Sequence, residues 1–329
     1  MEKLKILYAG SPLASSLVLK NLVQNAQNCG FEICAVLTNP PSSRGRHKEL
    51  VSTEVANEAK NHKIPVLEFD HIKSEAREAV QKFGADLLVS FDFGRIFGPK
   101  FLNLFRLGGI NLHPGSLPRY RGCTPVPSAI LNGDKKIEVC VQKLALKTDE
   151  GDLLARGEIE LDGTETTLSL MDGDGKKSAV CEIGSKLLLD VLSETAKMGV
   201  LPKSFAQTGE ANYTPLLKKD DGEIDWNESA QKIERKIRAY TPWPGCFTEK
   251  NGVRLKIIRA SAIFSEKGTE KSGEVFGFSA KNENPQGIKI QCGDGVLFAS
   301  ELQWEKKKAV DWKSFLNGSR DFVGSILGK

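Results

Sequence analysis

What this chain of 329 residues lacks narrows its class first. No stretch approaches the ~18 consecutive apolar residues of a membrane-spanning helix, and the apolar run behind Met1 to Lys5 is too short for a secretory leader, so a cytoplasmic protein is expected. Seven cysteines (Cys29, Cys34, Cys123, Cys140, Cys181, Cys246, Cys292) are an odd number and scattered, with no CxxC and no histidine at ligand spacing. That pattern speaks against a zinc site or a disulfide framework and fits reduced thiols filling apolar gaps. A glycine-rich phosphate fingerprint is missing too. Ala9-Gly10-Ser11-Pro12-Leu13-Ala14-Ser15 has one glycine where GxGxxG has three, and Pro12 stiffens the turn, so a dinucleotide enzyme is not expected. Nor is there a large excess of one charge: the formal net charge is +4. Residues 1–202 hold 25 basic and 25 acidic side chains, which leaves the whole positive excess in residues 203–329. A neutral catalytic half followed by a half that meets something anionic would look like this.

The length predicts two domains, and a composition 40% hydrophobic and 27% charged is that of a globular protein. Over the first 115 residues, short runs of nearly continuous apolar residues (5–9, 31–37, 64–69, 85–90, 109–113) alternate with helical patterns at 13–23, 51–61 and 74–83. Such alternation predicts an α/β fold with a parallel sheet covered on both faces, which binds ligands outside the carboxyl ends of its strands. Two longer strand-like segments follow, 137–146 and 153–161, joined by the loop Lys147-Thr148-Asp149-Glu150-Gly151-Asp152. After a helical stretch at 179–197, residues 201–213 lose periodicity and read as a linker. Beyond it, one helix (229–240) and short strands at 253–259, 273–278, 287–292 and 296–302 predict a small barrel or sandwich.

The densest chemistry lies at Gly109-Ile110-Asn111-Leu112-His113-Pro114-Gly115-Ser116-Leu117-Pro118-Arg119-Tyr120-Arg121-Gly122. Strand residues two apart share a face, so Asn111 and His113 project together before Pro114 and Gly115 turn the chain. A neutral imidazole beside a carboxamide suits acyl transfer: one moves a proton near neutral pH, the other donates to the oxygen that becomes anionic in a tetrahedral intermediate. The plainer alternative is a pair that caps a strand end. Of the four histidines, His47, His62 and His71 lie in polar or helical surroundings, and only His113 leaves a buried strand. Asp149 is the candidate partner acid, from a loop that can fold back to the sheet edge; the alternative is an ordinary turn aspartate. The loop after the second strand projects Arg44, Arg46 and Lys48, which suit phosphates or make a solvated basic surface. On the 229–240 helix, Lys232, Arg235, Lys236 and Arg238 surround an Ile233/Ile237 stripe; Trp226, Trp243 and Tyr240 read as packing aromatics.

Taken in order, several motifs resemble the methionyl-tRNA formyltransferases, within the folate-dependent formyltransferase superfamily, nearly end to end. They are residues 6–12, Asn111-x-His113, Leu117-Pro118-Arg119-Tyr120-Arg121-Gly122, Pro125, Ala129-Ile130, Gly133-Asp134, Thr148-Asp149-x-Gly151-Asp152, Ile224-Asp225-Trp226, Ile237-Arg238-Ala239-Tyr240, Pro242-Trp243-Pro244, Gln286-Gly287-Ile288, Gly293-Asp294-Gly295 and Asn317-Gly318-Ser319-Arg320. The resemblance implies a Rossmann-like formyltransferase domain over 1–190, a linker over 191–212 and an OB-like tRNA-binding β-barrel domain over 213–329. It implies transfer of a formyl group from 10-formyltetrahydrofolate to methionine on initiator methionyl-tRNA, by a monomer, without a metal. By position it makes Asn111, His113 and Asp149 the catalytic trio, with Asp149 orienting His113 or a relay water. Gly115, Ser116, Leu117, Pro118, Phe93 and Gly94 become folate contacts, and Arg44, Arg46 and Lys48 tRNA contacts. Four segments depart from the family pattern: the basic loop, shorter at Pro41-Ser42-Ser43; Phe91-Asp92-Phe93-Gly94-Arg95, charged where the family is apolar; Glu138-Val139-Cys140-Val141-Gln142-Lys143, less apolar than the family's strand before the acidic loop; and residues 172–177. A formyltransferase for a nucleotide-linked amino sugar and a catalytically silent tRNA-binding protein are the competing readings.

Overall fold

Runs of apolar residues become the central strands because both of their faces are covered. In the computed structural model, which describes residues 3–44, 49–264, 268–269 and 271–328, the first elements are β1 (Leu4–Ala9), α1 (Leu13–Asn25), β2 (Phe31–Thr38), β3 (Ser42–Arg44), β4 (Glu49–Val51), α2 (Glu54–Asn61), β5 (Val66–Glu68), α3 (Ser74–Gln81) and β6 (Leu87–Ser90). Next come α4 (Pro99–Leu102), β7 (Gly109–His113), β8 (Arg121–Gly122), α5 (Pro125–Asn132), β9 (Lys136–Lys143), β10 (Leu153–Glu160), α6 (Thr167–Met171), α7 (Ala179–Met198) and β11 (Tyr213–Thr214). The chain forms two compact units. One takes residues 1–125, 136–160 and 169–214; the other takes 126–135, 161–168 and 215–329.

In the first unit the strand order is β10-β9-β7-β6-β1-β2-β5, parallel from β7 to β5, with β9 and β10 antiparallel at one edge. The chain leaves β1 toward β2 and β5, then returns on its other side with β6 and β7. That reversal is where such a sheet opens at its carboxyl ends, and β7 delivers the Asn111/His113 pair there. After β6, Phe93, Phe97 and Phe101 stack at successive centroid distances of 5.3 Å, Phe105 meets Phe101 edge-on at 5.6 Å, and the four fill the core with Leu7, Leu37 and Leu88. At the start of α1 the Tyr8 hydroxyl donates to the Ser15 carbonyl at 2.8 Å, and the Ala14 amide donates to the Asp172 carboxylate. An acid therefore already faces the positive end of this helix.

Two details differ from the sequence reading. The basic stretch is not a bare loop: Ser42–Arg44 pairs with Glu49–Val51 as a hairpin. The expected linker over 191–212 begins inside a helix, because α7 keeps its Leu188/Val191/Leu192/Thr195 face buried to its last turn and ends at Gly199 in the left-handed region (φ 73°).

The second unit contains α8 (Ala230–Ala239), β12 (Cys246–Lys250), β13 (Val253–Ile263), β14 (Val275–Phe278), β15 (Ile288–Gln291), β16 (Val296–Trp304), β17 (Val310–Asp311) and α9 (Trp312–Gly318). Its antiparallel sheet runs β12-β13-β16-β15-β14 with β17 on β16, a curled half-barrel of the OB-like kind. Helix α8 buries Ile233 and Ile237, is capped by Ser229, and pairs Arg238 with Glu234 at 2.6 Å. Trp226 is buried with its Nε1 donating to Thr248 Oγ1, and Tyr240 is buried as well. Trp243 corrects the packing-aromatic expectation. It stands 54% exposed between Pro242 and Pro244, both of which follow cis peptide bonds.

Candidate active site

Everything in the site hangs on the pairing of β7 with β9. The register sets Asn111 opposite Gln142 and His113 opposite Cys140, so the two candidate side chains leave the same face of β7. The imidazole is buried. Its Nε2 lies 2.9 Å from the Tyr120 carbonyl oxygen, and its Nδ1 lies 3.7 Å from Asp149 Oδ2. A carbonyl only accepts, so Nε2 carries the hydrogen. The neutral ring then keeps its lone pair on Nδ1, toward the carboxylate.

The Tyr120 carbonyl orients the ring through Nε2, and the Asp149 carboxylate faces the other nitrogen, Nδ1. The Asp149 carboxylate is held at both oxygens: Gln142 Nε2 donates to Oδ1 at 2.6 Å, and the Gly122 amide donates to Oδ2 at 2.8 Å. Gln142 is itself fully buried. Asn111 is half-buried and makes no side-chain hydrogen bond among the described residues, which leaves its amide hydrogens for an incoming oxygen.

Two residues pay conformationally for this arrangement. Tyr120 and Asp149 both sit in the left-handed region, at φ 63° and 55°, which side chains of L-residues tolerate only when surroundings enforce it. The acidic loop also crosses close to β9: a Cβ on Gly151 would lie 1.8 Å from the Lys143 carbonyl oxygen.

The structure treats the expected folate contacts unevenly. Gly94 (φ 73°) is exposed, with open space where a Cβ would stand, so a flat ring can approach its backbone. The Phe93 ring, by contrast, belongs to the buried phenylalanine stack, and only its carbonyl reaches outward, accepting from Asn39 Nδ2 at 3.2 Å. Gly115, Leu117 and Pro118 are buried beside His113; a Cβ on Gly115 would come 2.7 Å from His113 Nε2. Ser116 Oγ accepts the Glu138 amide. Of the basic trio, Arg44 closes β3, and Arg46 and Lys48 lie outside the described residues. His62 pairs with Glu58 and His71 is exposed, while His47 too lies outside the described residues.

Two of the segments that depart from the family pattern, 91–95 and 172–177, meet. Asp92 is reached by solvent yet crowded by protein on its flanks. That crowding, with the Asp172 carboxylate nearby, pushes its pKa up to about 6; Asp172 is itself raised by burial. Sequence reasoning missed Gln142, Tyr120 and Gln207. Strand alternation could have found Gln142, which sits across from Asn111. Nothing local marks Gln207, whose Nε2 donates to the Asp149 and Gly151 carbonyl oxygens and whose place is decided by how residues 199–212 cross the loop.

A central parallel sheet with an imidazole, a carboxamide and a carboxylate at its carboxyl edge, followed by a curled β-unit, suits acyl transfer. The family model described as "Formyl transferase" matches residues 2–179, and "Formyl transferase, C-terminal domain" matches residues 216–320. The chain therefore belongs to the formyl transferase family. It is 42% identical to a protein from Treponema denticola named methionyl-tRNA formyltransferase, over 97% of this chain and 98% of that protein. Among solved structures, HypX from Aquifex aeolicus in complex with tetrahydrofolic acid shares the fold at TM-score 0.63 and 18% identity over 97% of this chain, which spans 48% of that longer protein. Methionyl-tRNA formyltransferase from Clostridium thermocellum matches at TM-score 0.53 and 18% identity, over 80% of this chain and 95% of that one.

Proposed function

We propose that the protein transfers the formyl group of 10-formyltetrahydrofolate to the α-amino group of methionine esterified to initiator tRNA. One observation carries the choice of acceptor: the 42% identity to the Treponema denticola protein extends through both units and not only the first. Among the described residues no helix is long and apolar enough to cross a membrane.

When bound, the folate supplies a one-carbon acyl group on a nitrogen that can leave. The residues that would hold it are Gly94, with its open backbone, and the 115–118 turn beside His113. What this chain does can be stated atom by atom. Asn111 donates an amide hydrogen to the formyl oxygen as it becomes anionic, an interaction that strengthens only in the tetrahedral state. His113 takes the proton lost by the attacking amine on Nδ1 and returns it to the leaving nitrogen. Asp149, 3.7 Å away, balances the imidazolium in between. The Tyr120 carbonyl keeps the ring from turning Nε2 toward the substrate. Arg44, Arg46, Lys48 and the cations of the second unit serve the phosphates of the acceptor.

The test is a competition assay with 10-formyltetrahydrofolate and three acceptors: initiator methionyl-tRNA, free methionine and an amino-sugar nucleotide. Formyl label is expected on the tRNA alone. Label on the sugar nucleotide and none on tRNA would overturn the assignment.

A further inference from the structure

The segment after α7 looks like a tether by composition, yet it is stitched to both catalytic loops. Between residues 203 and 213 no residue is buried, and Phe205 merely lies under the Arg156 guanidinium, 41% exposed. Its attachments are polar. Phe205 exchanges backbone hydrogen bonds with Leu153 at 2.8 and 2.9 Å, and Tyr213–Thr214 pairs with Arg121–Gly122. Ordering an exposed segment costs conformational entropy that no packing repays here, so where its side chains land is informative.

Gln207 lands on the acidic loop. Its Nε2 donates to the Asp149 and Gly151 carbonyl oxygens, both at 2.8 Å, while its Oε1 accepts from Arg121 Nε and Nη2 at 3.1 and 2.7 Å. The partners fix the orientation of the amide, since a flipped one would set oxygen against two carbonyls and nitrogen against a guanidinium. Asn212 lands on the other loop, its Oδ1 accepting the Tyr120 amide at 2.5 Å. Tyr120 and Asp149 are the residues that face the two nitrogens of His113, and both are held in the left-handed region.

We propose that residues 199–214 form a strap in which Gln207 and Asn212 are positioning residues, holding the Asp149 and Tyr120 backbones so that both nitrogens of His113 stay correctly faced. The inference rests on the reading of Asn111, His113 and Asp149 as the reacting site. It makes the segment after α7 part of the catalytic geometry.

The test measures kcat and KM for 10-formyltetrahydrofolate and initiator methionyl-tRNA in Gln207→Glu, Gln207→Ala, Asn212→Ala and, in parallel, Asp149→Asn. Gln207→Glu is the informative variant. It keeps, and strengthens, the tie to Arg121 but cannot donate to the two carbonyls. A positioning role predicts a kcat lower by about 30-fold in both Gln207 variants, with each KM within about threefold of wild type, because displacement of a reacting group by a fraction of an ångström acts on the transition state. Asn212→Ala should lower kcat in the same way, and it carries the test with Gln207→Glu should Gln207→Ala fail to fold. Wild-type turnover by Gln207→Glu, or a loss confined to the KM for tRNA, would overturn the strap. If Asp149→Asn is inactive while Gln207→Glu is intact, the strap alone falls. If Asp149→Asn turns over normally, the site reading falls and takes the strap with it.

Discussion

An imidazole has two nitrogens, and the fold gives each a separate partner. With Nε2–H committed to Tyr120, Nδ1 is the nitrogen left for the proton transfer proposed above, and it faces a carboxylate. His113→Ala should therefore lower kcat by about 100-fold or more while leaving tRNA affinity near wild type, measured by steady-state formylation and by filter binding. Asn111→Ala removes the proposed oxyanion donor and should lower kcat by about 100- to 1,000-fold with little change in KM. Asp92 makes a different prediction, about stability. Its folded pKa of about 6 lies above the ordinary carboxylate range near 4, so the unfolded chain releases the proton first and the folded state loses ground as pH rises between those values. Asp92→Asn should raise Tm above pH 6, and the difference should close by about pH 4 in a thermal denaturation series.

At the scale of elements, the site joins one strand to one loop. Strand β7 was legible, because its apolar run and alternation placed Asn111 and His113 on one face, as the register with β9 now has them. The loop was legible only in part. Thr148-Asp149-Glu150-Gly151-Asp152 announced a turn, but its glycine is needed for a contact no sequence pattern reports, the passage beneath the Lys143 carbonyl. Gly151→Ala should displace Asp149 and lower kcat by about tenfold or more, together with a Tm loss of several degrees, read by assay and by melting. Helix α7 was nearly right in extent at 179–197, but the linker expected to begin at 191 does not, since the helix's buried face continues to its end. The hairpin of β3 and β4 escaped because two three-residue strands are too short to show a period.

Over the whole molecule, charge is unevenly distributed along the chain. The first 202 residues balance acids and bases, and the remainder carries the surplus cations. For an acceptor bound through its phosphates, each cation–phosphate contact releases counterions. The KM for tRNA should rise by more than about tenfold between ~50 and ~200 mM salt while kcat at saturating tRNA holds; a flat KM would remove the phosphate contacts from the account. Trp243, exposed beside the basic helix α8, was expected to pack, because the composition of a Pro-Trp-Pro turn does not reveal which way its indole faces.

Local pattern was enough to write the alternation of strands and helices, the pairing of an amide with an imidazole on one strand, and the division into a neutral half and a basic one. Each of these depends on spacings of a few residues, which periodicity encodes. Tertiary structure alone decided which nitrogen of His113 meets which partner, that Gln142 fastens Asp149, that Phe93 belongs to the core, and that Asp92 and Asp172 share one neighbourhood. Those outcomes join residues tens of positions apart, and only the crossing of chain segments in space fixes the distances on which hydrogen bonds and charges act.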